Sequence, residues 1–157
     1  MSADARGPDS GPVVFAYDGS ALAKAAINEA ARLLGTGRDA LVLTVWKTFD
    51  VGFTPPPGVE FDASDAAEVG AAAEQSAAEG AALAEAAGFR AEPLALTAAP
   101  AWKRIIELAD DRQASVIVLG SHGRRSLGEA LLGSVAGAVA NHSRRSVLIV
   151  HVGAAGG

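Results

Sequence analysis

A chain of 157 residues is long enough to bury a substantial core, and its formal net charge of −5 argues against binding nucleic acid through the whole surface. Half of the residues are apolar, but Ala and Gly supply much of that half and aromatics only 5%, so the helices should pack closely through small side chains. The absence of cysteine excludes disulfides, thiolate catalysis and cysteine-based metal sites.

Residues 1–11 are polar, contain Gly and Pro, and lack the apolar segment of a signal peptide, so they read as a disordered leader. Pro12–Tyr17, with Val13, Val14 and Phe15, reads as a buried strand. Asp18-Gly19-Ser20 breaks it, with Ser20 placed to cap the next helix. In Ala21–Leu34 the residues Ala23, Ile27, Ala30 and Leu34 fall on one face, and Gly35-Thr36-Gly37 ends the helix. Ala40–Trp46 is a second strand. Lys47–Asp62 contains Pro55-Pro56-Pro57-Gly58 and reads as a long irregular connection, a lid or a variable excursion. Ala63–Ala87 is helical by propensity, with Val69, Ala73 and Leu83 as expected anchors and Gly88 as its stop.

A third strand covers Pro93–Thr97 or slightly more, and Pro93 suits an edge position because it cannot donate to a ladder. Pro100 opens a helix whose expected buried face carries Trp102, Ile106 and Ala109, with Ile105 and Leu108 beside them. Ser115–Leu119 is the fourth strand. A glycine-rich segment and a helix to about His142 follow, with His142 expected near its buried face. Ser146–Val152 is the fifth strand and 153–157 a flexible tail. No run approaches the roughly 20 apolar residues that span a bilayer. The expectation is a soluble, cytoplasmic protein with no membrane or nucleic-acid partner.

Strands alternating with helices imply a parallel sheet covered on both faces. In such open sheets ligands sit at the carboxyl ends of the strands where the winding reverses. Two strand ends are strongly punctuated: Asp18-Gly19-Ser20, and Gly120-Ser121-His122-Gly123 with Gly133-Ser134 nine residues further on. A glycine turn lets backbone N–H groups approach a ligand, and Gly-Ser at a helix start adds free donors, a hydroxyl and the positive end of the dipole. That is a phosphate cradle. If the first and fourth strands are neighbours, both motifs line one crevice.

With these residues the chain resembles the universal stress protein family. The Gly120-x2-Gly123-x9-Gly133-Ser134 spacing matches the motif of its ATP-binding branch, and Tyr17–Ser20, Leu43–Val45, Leu132–Val135 and Ser146–Val150 are also similar. The likeness covers Pro12–Val152. It implies an α/β fold of the Rossmann-like, adenine nucleotide alpha hydrolase-like type, with five parallel strands in one domain spanning 12–152. It also implies ATP in the crevice, with Mg²⁺ or Mn²⁺ carried by the phosphates. Carried over, Ala16 would line the pocket and Asp18 would contact the ribose or a metal-linked phosphate. Val45 would meet the adenine edge through its main chain. Gly120 and Gly123 would let the loop close over ribose and phosphates, with Ser121, His122 and Arg124 in the same loop. Gly133, Ser134 and Val135 would present N–H groups to the phosphates. The resemblance further implies a homodimer through residues 146–152, whose uncovered edge would otherwise invite aggregation. It departs from the family at Arg124-Arg125 and at Ser143-Arg144-Arg145-Ser146, which replaces a proline-containing turn.

Each signal has a plainer reading. The glycines could serve close helix–sheet packing, and Asp18 could be only a cap. Arg124-Arg125 and His122 could be solvated loop residues, and Val45 an ordinary strand residue. His122, His142 and His151 are too scattered to suggest zinc. Gly128-x4-Gly133-Ser134 has the glycine spacing of a P-loop but lacks its lysine and a preceding strand. Gly120-Ser121-His122-Gly123 places its serine one residue too early for a nucleophile elbow. The expected function is an ATP-binding stress-response regulator, not an enzyme, with hydrolysis absent or slow. Slow self-phosphorylation would fall on Ser121, Ser126 or Ser134. The alternatives are an ATP-hydrolysing or nucleotidyl-transferring enzyme on a related fold, and an interaction module whose pocket is vestigial or holds another adenosine ligand, with an unidentified protein partner.

Overall fold

The computed structural model describes residues 10–46, 63–98, 100–122 and 132–151. Among them the elements alternate as β1 (Val13–Ala16), α1 (Ala21–Leu34), β2 (Asp39–Trp46), α2 (Ala63–Ala86), β3 (Arg90–Thr97), α3 (Ala101–Asp111), β4 (Val116–Gly120), α4 (Ser134–His142) and β5 (Ser146–Val150). The five strands form one parallel sheet in the order β3-β2-β1-β4-β5. The winding therefore reverses between β1 and β4, which pair from Val13↔Val116 to Phe15↔Val118. The long connection Lys47–Asp62 lies outside the described residues.

Side chains alternate across the sheet and build two cores. On one face Val13, Phe15, Val42 and Val118 pack against Ala23, Ala26, Ile27 and Ala30 of α1 and Ala81 and Ala84 of α2. On the other, Val14, Leu41, Leu43, Ile117 and Leu119 pack against Ile105, Leu108 and Ala109 of α3 and Ala136 and Val139 of α4. Phe15 and Phe89 meet edge to face with centroids 5.3 Å apart, the geometry that aromatic quadrupoles favour. The central strands are apolar on both faces because both faces are covered. No helix among the described residues is long and apolar enough to cross a membrane.

Several expectations need correction. β3 begins at Arg90, ahead of the expected Pro93, although Pro93 does lie on an edge strand as its missing donor requires. Pro100 stands at the N-cap of α3, just before its first turn. In α3 the buried residues are Ile105, Leu108 and Ala109, while Trp102 and Ile106 are half-buried. The anchors of α2 are small: Ala73, Ala77, Ala81 and Ala84 are buried, Val69 is half-buried and Leu83 is exposed. The physical reason is close approach. A Cβ on Gly80 would fall 2.7 Å from Val42 Cγ1 and 2.8 Å from the Tyr17 ring, so only small residues fit this helix face. His142 is exposed rather than near the buried face, because α4 ends there, and its ring stacks on Trp102 with centroids 4.6 Å apart.

The turn Ser143–Arg145 is tied down by Arg145. Its guanidinium donates to Asp110 Oδ1 at 2.9 Å and to the Ala114 carbonyl at 2.9 Å. A planar fork thus joins the C-terminal end of α3 to the start of β5, in a turn built without proline.

Candidate nucleotide-binding cleft

β1 ends at Ala16, and the chain turns at Gly19 with φ of 80°, a left-handed conformation that glycine adopts without strain. Asp18 Oδ1 accepts the Ser20 N–H at 2.9 Å, and Ser20 Oγ accepts the Ala23 N–H at 3.1 Å. Ser20 is therefore the N-cap of α1, and Asp18 braces the turn that presents it.

β2 runs on past the end of β1. The Leu43 carbonyl accepts the Tyr17 N–H at 2.9 Å, so Leu43 and, by strand alternation, Val45 turn their main chain toward β1. The β1–β2 pairing ends at Ala16↔Leu43, which leaves the Val45 N–H and C=O beyond the ladder and beside the space above β1. Trp46 faces the other way, its carbonyl accepting the Ala98 N–H at 3.1 Å. The Thr44 hydroxyl donates to the Tyr17 carbonyl at 2.9 Å and holds the two strand ends together.

On the other side of the reversal, β4 ends at Gly120. Ser121 is buried, donates its N–H to the Val150 carbonyl at 2.9 Å, and places its hydroxyl 3.3 Å from His122 Nδ1. Gly133 is the N-cap of α4 with no side-chain capping bond, and the first intrahelical bond runs from the Gly137 N–H to the Gly133 carbonyl at 2.9 Å. The N–H groups of Ser134, Val135 and Ala136 therefore have no intrahelical acceptor, and the helix dipole adds partial positive charge beside them. The assignment of a phosphate-facing N–H to Gly133 needs correction. Its N–H donates to the Ser121 carbonyl at 2.6 Å, which closes the junction between β4 and α4.

These ends enclose a cleft of about 610 Å³. Its floor is Ala16, Leu43, Thr44, Val45, Leu119 and Gly120. Val69, Ala72, Ala73 and Ser76 of α2 form one wall, and Ala101 and Ile105 of α3 another. Asp18, His122, Gly133, Ser134 and Val135 surround the end nearest α4. Of the residues singled out from sequence, Ala16, Asp18, Val45, Gly120, His122, Gly133, Ser134 and Val135 all line it. Ser121 is not among the lining residues, being turned to structural bonds. Gly123 and Arg124 lie outside the described residues.

Sequence reasoning missed Trp46 and the α2 wall. An aromatic at the carboxyl end of a strand could have pointed to Trp46. Nothing in an Ala-rich helix distinguishes the half that lines a cleft. Among the described lining residues Asp18 is the one carboxylate, and there is no lysine or arginine. No group of three or more metal-ligating side chains occurs among the described residues. This donor set fits a nucleotide whose phosphates bring their own metal better than a cage built by the protein.

Residues 10–151 match the Universal stress protein family. Over a 63-residue segment the chain is 36% identical to Universal stress protein MJ0577 of Methanocaldococcus jannaschii, covering 40% of this chain and 38% of that protein. The fold is similar to the MJ0577 structure, with a TM-score of 0.71, 22% identity, and coverage of 91% of this chain and 96% of that one. It is also similar to a universal stress protein in complex with cAMP, with a TM-score of 0.63, 27% identity, and coverage of 91% and 98%. A third similar structure is the universal stress protein of Archaeoglobus fulgidus in complex with dAMP, with a TM-score of 0.57, 24% identity, and coverage of 90% and 98%.

Proposed function

This chain belongs to the universal stress protein family, and from that membership we propose that it binds an adenine nucleotide in the cleft at the reversal of its sheet. The observation that carries the proposal is convergence. One cleft of about 610 Å³ collects a free strand end at Val45, the Asp18 turn and the unpaired N–H groups opening α4. The base sits by the Val45 main chain, the ribose by Asp18 and Gly120, and the phosphates at the start of α4. Anions are stabilised at such a helix start by backbone donors and by the dipole. Asp18 stands where it could face a metal ion brought by the phosphates.

ATP with Mg²⁺ or Mn²⁺ is the ligand proposed. The chain acts as a cytoplasmic regulator whose nucleotide state alters its contacts, with hydrolysis absent or slow. What supports slow turnover is the sequence, where Gly128-x4-Gly133-Ser134 lacks the lysine with which a P-loop neutralises a transferring phosphoryl group. A homodimer through β5 is part of this reading, since β5 is an edge strand of the described sheet. A second reading of the ligand, a nucleoside monophosphate or its cyclic form, is favoured by the cAMP and dAMP held by two similar proteins.

The test is to denature freshly purified protein and identify any released nucleotide by chromatography and mass, beside a Gly120→Val/Gly133→Val variant. ATP in the native sample and none in the variant is the expected result. A monophosphate instead would select the second reading. No nucleotide in either, with no binding of added ATP and Mg²⁺, AMP or cyclic AMP, would overturn the proposal.

A further inference from the structure

We propose that the indole of Trp46 is the aromatic wall of the base subsite and contacts the base of a bound nucleotide. This rests on the nucleotide reading above, and it adds a residue that neither the motif nor the glycine spacing indicates. Trp46 ends β2 next to Val45, half-buried, and lines the cleft together with Val69, Ala73 and Ser76 of α2. Its backbone is fixed in the sheet by the Ala98 N–H bond to its carbonyl.

The ring is held from behind by a gap in the side chains of α2. A Cβ on Gly70 would come within 3.0 Å of Trp46 Cζ2 and 3.3 Å of Cη2, so the six-membered ring lies against bare helix backbone. A large flat ring from β2 is thus seated at a cleft wall whose α2 members are small or aliphatic. Indole is a strong partner for a nucleobase, because both present extended π faces and little polar surface is lost on contact. Every base has such a face, so this contact adds affinity for the base without choosing among bases. Selection falls to polar groups such as the Val45 main chain.

The chain has two tryptophans. The other, Trp102, stacks on His142 and is not among the described residues lining the cleft. Trp102→Phe therefore leaves Trp46 as the single indole emitter. Titrating that variant with ATP and Mg²⁺ should change its emission, saturating where equilibrium dialysis of labelled ATP saturates. Trp46→Leu should weaken ATP and AMP roughly ten-fold, in line with base–aromatic stacking, and Trp46→Phe should weaken them much less. Inorganic tripolyphosphate, which carries no base, should compete equally well at both variants.

ATP that binds by dialysis without moving Trp46 emission, and as tightly to Trp46→Leu, would overturn the proposal and leave nucleotide binding standing. Equal losses for ATP and tripolyphosphate would make Trp46 a structural residue of the α2 wall and would also overturn it. An unmodified protein that binds neither ATP nor AMP would remove both readings together.

Discussion

The Gly133 N–H donates to the Ser121 carbonyl at 2.6 Å, and a Cβ on Gly133 would stand 3.0 Å from His122 Cα. The end of β4 and the start of α4 therefore meet backbone to backbone, although residues 123–131 separate them in the chain. The φ of Gly133 is −60°, which any residue can adopt, so it is space that demands glycine here. Gly133→Val must part the two segments, because backbone cannot give way as a side chain can. Titration calorimetry should find ATP affinity reduced at least about ten-fold, with the far-UV spectrum of a folded protein retained. Unchanged affinity would mean that this junction does not hold phosphate.

Asp18 and Ser20 share a turn and can be separated by substitution. Ser20→Ala removes the cap of α1 and should cost about 1 kcal/mol in urea unfolding. Asp18→Asn keeps an oxygen for the Ser20 N–H and should change stability by less than about 0.5 kcal/mol. It removes the carboxylate from the cleft, so ATP binding should lose its dependence on Mg²⁺. If Asp18→Asn binds MgATP as the parent does, the Asp18 carboxylate does not act on the ligand's metal.

Gly80 lets α2 lie close on the sheet, with Val42 Cγ1 2.7 Å from the position of an added Cβ. Gly80→Ala gains up to about 1 kcal/mol of helix propensity. It must also push α2 off Tyr17 and Val42, an overpacking cost of about 1–3 kcal/mol. The urea midpoint should therefore fall. A rise would show that α2 can shift freely.

Arg145 donates to both Asp110 and Ala114. Arg145→Ala should destabilise by about 1 kcal/mol, chiefly by freeing the part-buried Ala114 carbonyl, since the exposed Asp110 carboxylate is taken up by water. Arg145→Lys should recover little, since an ammonium cannot span both acceptors as the fork does. Equal stability of the lysine variant and the parent, measured by thermal unfolding, would contradict this account.

The Val150 carbonyl accepts the Ser121 N–H, so by alternation Val147 and Ile149 turn their main chain to the open edge of the sheet. Proline is tolerated where the N–H it deletes faces outward. Val147→Pro should leave the chain folded but unable to pair through this edge. Light scattering should find a dimer for the parent and a monomer for the variant. A parent that is monomeric at micromolar concentration would count against the dimer.

The positions of the elements were legible because their cues are local. Val-rich runs such as Ala40–Trp46 alternate with segments whose apolar residues recur at three and four, and Ser20, Gly35 and Pro100 mark ends whose backbone chemistry is the same in any fold. The packing of α2 was not legible. Val69 and Leu83 are the larger apolar residues, and size suggests burial. Which face is buried depends on how near the helix comes to the sheet, and Gly80 and the alanines set that distance only once Tyr17 and Val42 lie opposite. His142 was misplaced for a similar reason, since where α4 stops decides which side of its last turn meets water.

The sequence by itself determined an alternating parallel α/β chain and the two punctuated strand ends, because hydrophobic period and turn chemistry act over a few residues. Only the tertiary structure decided that β1 and β4 are neighbours, that Val45 overruns β1, and that Trp46 faces the α2 wall. Several strand orders are compatible with the same local periods. The order realised depends on contacts between residues about a hundred positions apart, such as Val13 and Val116, which no local period encodes.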